Sequence, residues 1–289
     1  MLKKIKKKEK KVKTDDKSLP AVIEEQKSER GEQSFFEDVL SLSELLGESV
    51  SALKEEFCLF QIRKFMSRIG KAVVRFNGGD EQLEKVFINA DKTGTGGIFI
   101  APTHLPIVKK IINNNEGLEL EVVSVIDFPF GESTAKSKLG DVKDSQKAGI
   151  DGVLITMPTV LTLPEKVKEY KSQSKKFLRA FKKNSGLAFN ASDLNDEDFT
   201  RVIKFAGKSK AEYFALLFGE STYDNVKQKI ELVQKLRANK KVFVMANVDS
   251  AEVVKELYGL GVDKVLTPFA DKIAEDLLKR YGVNRVKLL

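Results

Sequence analysis

The residues of this 289-residue chain best placed to do chemistry stand at the ends of short apolar runs. Asp127 precedes a Phe-Pro-Phe-Gly loop. A carboxylate there could orient a ligand or, with Asn190 and a second carboxylate, help hold a hard cation; its plainer role is to satisfy loop backbone groups. Arg75 and Asn77 come after the first apolar run, Thr156 on the fourth and Asn247 on the seventh. His104, the one histidine, opens a helical stretch in "APTHLPIV" and reads either as an acid–base group or as a surface residue. Cys58 is the one cysteine, which excludes an internal disulfide, fits a reducing cytoplasm, and reads as a packed, inert thiol. One histidine and one cysteine cannot build a zinc site of those ligands, and the expectation is no metal and no cofactor. "TGTGG" at 93–97 resembles a phosphate loop but precedes an apolar run instead of following one, so it reads as a plain turn. "SQSK" at 172–175 matches Ser-x-x-Lys, yet falls inside a basic helical stretch and reads as chance.

Three regions position these residues. Residues 1–33 are polar and without periodicity, the signature of a disordered tail. Residues 34–70 carry two helical patterns, 34–47 ending at Gly47 and a second starting at an N-cap, Ser51, and ending at Gly70. Leu53, Phe57, Phe60, Ile62, Phe65, Met66 and Ile69 would form the buried stripe of that second helix. Residues 71–289 then alternate apolar runs with amphipathic helices eight times. The strand candidates are 72–76, 97–101, 121–126, 152–157, 186–190, 212–218, 241–246 and 262–267. Unbroken alternation of this kind forces parallel strands, and eight units in this length match a closed (β/α)8 TIM barrel of the α/β class. An open doubly wound sheet is the alternative. The helices of 34–70 would cover the bottom of the barrel or pack on its side. In such barrels chemistry sits at the C-terminal strand ends, where Asp127, Asn190 and the other candidates fall.

Charge is unevenly spread. Lysine and arginine number 50 against 42 acidic residues, a net +8. Residues 1–13 hold eight lysines (Lys3, Lys4, Lys6, Lys7, Lys8, Lys10, Lys11 and Lys13) and one glutamate, or +7, which leaves +1 for the remainder. An acidic partner such as RNA, an anionic membrane surface or an acidic protein would therefore be met by the tail; the folded part lacks a nucleic-acid footprint. The basic start is followed by no apolar stretch of a signal peptide, and no run reaches the roughly 18 residues of a membrane span. A soluble, cytoplasmic protein is expected.

The stretch "VVSVIDFPFGESTAKSKLGDVKDSQKAGIDGVLITMP", with the preceding "GGIFIAPTHLPIVKKII", resembles the deoxyribose-phosphate aldolase family of class I aldolases. The likeness extends over roughly residues 70–280 and includes "LNDEDFTRVIKFAG". It implies a TIM barrel with a Schiff-base lysine near the end of strand six, a second lysine on strand seven and an aspartate on strand four. Only a primary amine can form that imine. Carried onto this sequence, the three positions hold Ala215, Met245 and Leu154, all apolar. Lys208, Lys210, Lys240, Lys241 and Lys264 precede or begin strands and belong to the bottom of the barrel, whereas Lys272 projects from the upper rim. The family's glycine-rich phosphate loops after strands seven and eight are replaced by "NVDSAEVV" and "TPFADKIAEDL", where Asp249 and Asp271 read as helix caps. The expectation is an aldolase-like barrel that has lost Schiff-base catalysis and serves as a binding or scaffold protein. The alternative is a carbon–carbon lyase, or another enzyme, using different residues at the mouth. The ligand is open, and a homo-oligomer is possible on this reading.

Overall fold

The computed structural model describes residues 50–283 except 116, 182, 193, 220 and 237–239. The expected tail of 1–33 and the helix of 34–47 lie outside the described residues. The chain divides into two compact units, 1–58 and 59–289, and the barrel belongs to the second. No helix among the described residues is long and apolar enough to cross a membrane.

Eight parallel strands close into one barrel in sequence order. They are β1 (Ile69–Val73), β2 (Ile98–Ile100), β3 (Val122–Ile126), β4 (Gly152–Met157), β5 (Ser185–Asn190), β6 (Tyr213–Leu217), β7 (Lys241–Met245) and β8 (Lys264–Thr267). Closure is made by β1 on β8, with Ile69 opposite Val265 and Lys71 opposite Thr267. In chain order the helices are α1 (Val50–Met66), α2 (Asp80–Lys92), α3 (Leu105–Asn114), α4 (Ala135–Ala148), α5 (Pro164–Ala180), α6 (Asp196–Lys208), α7 (Tyr223–Leu236), α8 (Ala251–Gly259) and α9 (Ala270–Arg280). Local chemistry explains several starts. Thr134, Asn195 and Ser250 stand before α4, α6 and α8, and each side-chain oxygen accepts a backbone N–H three residues on. Along α6, Phe199, Val202, Ile203 and Ala206 recur at helical spacing and are all buried.

The sequence expectation fails at the first strand. The run 72–76 was expected, but β1 begins three residues earlier and α1 stops at Met66. Gly70, expected as a helix stop, is a strand residue whose missing side chain makes room for its neighbours. A Cβ there would stand 2.6 Å from both Leu266 Cδ2 and Phe99 Cε2. Ser51 lies inside α1 and not at its cap. Phe60 is exposed on α1, while Ile62 and Met66 are buried and Ile69 is buried as part of β1. Cys58 is half-buried.

"TGTGG" is a turn before β2, as its position implied. Gly96 donates its N–H to the carbonyls of Met66 and Ile69, and a Cβ there would fall 1.8 Å from the Ser67 carbonyl oxygen. Close backbone approach explains that glycine. Ser172 and Lys175 of the "SQSK" match are exposed on α5, and Ser174 is buried there.

Inside the barrel the alternating strand residues form one apolar cluster. It contains Ala72, Phe99, Val123, Val125, Leu154, Ala188, Tyr213, Ala215, Leu217, Phe243, Met245 and Leu266. Tyr213 stacks on Phe243 with ring centroids 4.3 Å apart. Gly186 makes that possible: a Cβ there would meet the Tyr213 ring at 2.3 Å. At the N-terminal end, Lys264 reaches the Gly96 carbonyl and the Glu121 carboxylate (3.0 Å), and Lys240 reaches the Ala211 carbonyl. These lysines are held at the bottom, as their place before the strands requires.

Candidate functional site

The C-terminal ends of the strands surround a cavity of about 510 Å³. Leu217 and Met245 form its apolar floor, and Val74, Phe128, Pro129 and Phe130 part of its wall. Its polar lining is Lys71, Arg75, Asn190, Ser192 and Asn247. Leu154 and Ala215 do not reach the cavity. They are fully buried one layer below, where strand alternation places Ala215 directly beneath Leu217 on β6.

Of the residues singled out from sequence, Arg75, Asn190 and Asn247 come together around the cavity. Arg75 leans toward the Phe128 ring, its guanidinium carbon 5.7 Å from the centroid. The Asn190 side chain accepts the Ser192 N–H at 3.1 Å, which fixes the turn after β5. Asn77 is exposed and outside the cavity lining. His104 closes a short turn, Pro102–His104, and meets Phe76 edge-on at 5.9 Å; it does not line the cavity either. Thr156 is buried within β4, and its hydroxyl finds no hydrogen-bond partner among the described residues.

Asp127 is engaged with the loop that follows it and does not line the cavity beside Asn190. Its carboxylate accepts the Ser133 N–H (2.8 Å) and hydroxyl (2.7 Å) and pairs with Lys138 at 3.0 Å. It is spent on the loop. Among the described residues no cluster of acidic, histidine or cysteine side chains could hold a metal ion.

Lys138 is the residue that sequence reasoning missed. It lies on α4, is 2% exposed, and also donates to the carbonyls of Gly131 and Thr156 (2.9 Å). One ammonium thus ties the end of β3, the Phe-Pro-Phe-Gly loop and the end of β4 together. Burial is the larger influence on its pKa and lowers it below 10.5; the hydrogen bond and charge of Asp127 raise it in part. The available signal was a lysine at a helix position otherwise facing the core, four residues before the buried Val142.

A second oversight is Lys71. The misplaced first strand hid it; in β1 it lines the mouth, donating to the Pro268 carbonyl at 2.8 Å and forming an ion pair with Asp271. Asp271 is therefore not a cap: α9 begins after Phe269 without a side-chain cap. Asp249 is not one either, since Ser250 caps α8 and the Asp249 carboxylate pairs with Lys272. That hydrogen bond and the ammonium charge lower the Asp249 pKa and raise that of Lys272, which stays on the rim as expected.

No family model matches the chain. It is 22% identical over 223 residues to a deoxyribose-phosphate aldolase of Mycoplasmoides gallisepticum, covering 75% of this chain and 96% of that protein. With the deoxyribose-phosphate aldolase of Dictyoglomus turgidum it shares 23% identity over 218 residues, 73% of this chain and 96% of the other. The tetrameric deoxyribose-phosphate aldolase of Aeropyrum pernix superposes with a TM-score of 0.64 at 18% identity, over 78% of this chain and 95% of that one. The chain is a divergent relative of the deoxyribose-phosphate aldolases. The resemblance read from the Phe-Pro-Phe-Gly stretch and the comparisons agree, and the barrel is the fold both imply. Leu154, Ala215 and Met245 are the places that the resemblance read from sequence singles out. All three belong to the single apolar cluster of the barrel interior, and only Met245 touches the mouth cavity.

Proposed function

We propose that this aldolase-like barrel has lost Schiff-base catalysis and acts as a binding or scaffold protein whose ligand enters the mouth cavity. The observation that carries the reading is the apolar interior. Leu154, Ala215 and Met245, which the family resemblance assigns to the aspartate and the two lysines, pack together with Ala188, Leu217 and Phe243. An imine needs an amine facing the cavity floor, and that floor is Leu217 and Met245. Replacing buried charges by apolar side chains also stabilises a scaffold freed from the need to react, which fits the intact barrel.

A second reading is favoured by Lys71. It is the one lysine among the residues lining the cavity, so a carbon–carbon lyase using a relocated lysine is the enzyme alternative. The relatives are deoxyribose-phosphate aldolases, and this alternative keeps an aldolase activity. The Lys71–Asp271 ion pair and the Pro268 carbonyl hold the amine at the rim, which weighs against it as nucleophile.

The tail lysines Lys3 to Lys13 would add attachment to an acidic partner, within a cytoplasmic protein. A homo-oligomer belongs to the same proposal, supported by the tetramer of the Aeropyrum pernix relative. Cleavage of deoxyribose 5-phosphate, followed by coupled reduction of the aldehyde products, tests the reading. The expected result is no turnover above a heat-inactivated control. Turnover abolished by Lys71→Ala would establish the alternative.

A further inference from the structure

On the outside of the barrel, away from the mouth, α5 and α6 border a cleft of about 570 Å³. The short turn Thr159–Thr162 packs on both helices, and its Leu161 forms part of the floor. From α5 the cleft takes Val167, Lys171 and Lys175, at a spacing that sets them on one helix face; from α6 it takes Arg201, Lys204, Phe205 and Lys208, again on one face. Lys210 adds a further cation just beyond α6. Among the described residues no carboxylate lines the cleft. Arg201 is tied to Glu197 and Asp198, but among the described residues none of the five lysines has an ion-pair partner. Near-neutral average charge in residues 14–289 therefore conceals a strongly basic cleft.

The same place gathers exposed apolar surface. Val160, Leu163 and Val167 are 45%, 44% and 37% exposed, within eight residues of one another, and Val167 lines the cleft beside Leu161 and Pro164. Aliphatic side chains ringed by unneutralised ammonium groups are costly to leave in water and repel one another. Both penalties are relieved by a partner that carries aliphatic anchors and carboxylates together.

We propose that this cleft docks an acidic amphipathic segment of a partner protein, with its carboxylates on Lys171, Lys175, Lys204 and Lys208 and its aliphatic side chains on Leu161 and Val167. Nucleic acid fits less well. Single strands need open aromatic faces for stacking, and the one ring here, Phe205, is already engaged edge-on with Phe189 at 6.2 Å. A flat anionic membrane would meet the outer lysines but not the recessed floor.

The test uses the full chain, tail included, and a short fluorescent peptide with leucines on one helical face and glutamates on the others. A second peptide keeps the glutamates and replaces leucine by serine. Anisotropy titrations should show the leucine peptide binding, with K171Q/K204Q/K208Q weakening it by about tenfold or more at unchanged thermal midpoint. L163S/V167S should weaken it several-fold while leaving its salt dependence intact. Equal binding of the two peptides would overturn the proposal, because charge alone, including that of the tail, would then suffice. So would equal affinity of the triple variant and the parent, or an oligothymidylate that depends on these lysines where the peptide does not.

Discussion

The Lys138 ammonium stands 3.0 Å from the Asp127 carboxylate, and this pair, buried on the lysine side, fixes the loop that carries the most family-like residues of the chain. Removing one partner of such a pair leaves the other poorly solvated, so the cost exceeds that of a surface ion pair. Lys138→Met should destabilise the protein by about 3 kcal/mol in urea unfolding. Lys147→Met breaks the exposed pair with Asp144 and should cost no more than about 0.5 kcal/mol.

The same lysine makes a prediction about pH. Burial holds its folded-state pKa below 10.5, so the unfolded chain binds this proton more tightly than the folded one. Its contribution to stability therefore rises as pH climbs from the folded value toward 10.5. Asp127→Asn removes the attraction that partly restores the proton and should move the Lys138 titration further down, as read by carbon NMR of dimethylated lysines.

Asp249 behaves in the opposite sense. Lys272 depresses its pKa, so the stabilisation is present above the ordinary aspartate value and lost as pH falls through the folded one. In Lys272→Gln the Asp249 carboxyl should titrate higher than in the parent. High salt should shrink the difference, because both groups are on the surface.

Most of the architecture was legible because strand and helix periods alternate without interruption from β2 onward, and each crossover leaves few topologies open. What failed were long-range effects. Gly70 ends a helical pattern in sequence, yet barrel closure needs a glycine between Leu266 and Phe99, so tertiary packing moved β1 and exposed Lys71 to the mouth. Asp127 could be placed at a strand end, but its role depends on a lysine eleven residues later and one face away. Arg75, Asn190 and Asn247 line the cavity, and a strand-end rule suffices to place them there. The basic cleft escaped notice because charge was averaged over the chain, and only the packed helices bring its lysines side by side.

Packing in the barrel interior yields another test. Gly186 leaves room for the Tyr213 ring, which stacks on Phe243. Gly186→Ala should destabilise by about 2 kcal/mol through overpacking. Ala215→Lys places an ammonium in the apolar cluster and should cost about 3 kcal/mol or more at neutral pH, measured by urea unfolding. A stable Ala215→Lys protein would mean the interior still accommodates an amine.

A barrel floor of Leu217 and Met245 offers no amine for an imine. Incubation with acetaldehyde or deoxyribose 5-phosphate and borohydride, followed by intact-mass spectrometry and peptide mapping, addresses it directly. The expected result is no stoichiometric reduced adduct, only scattered substoichiometric modification of surface lysines. A single stoichiometric adduct mapped to a lysine at the barrel mouth, Lys71 above all, would contradict it.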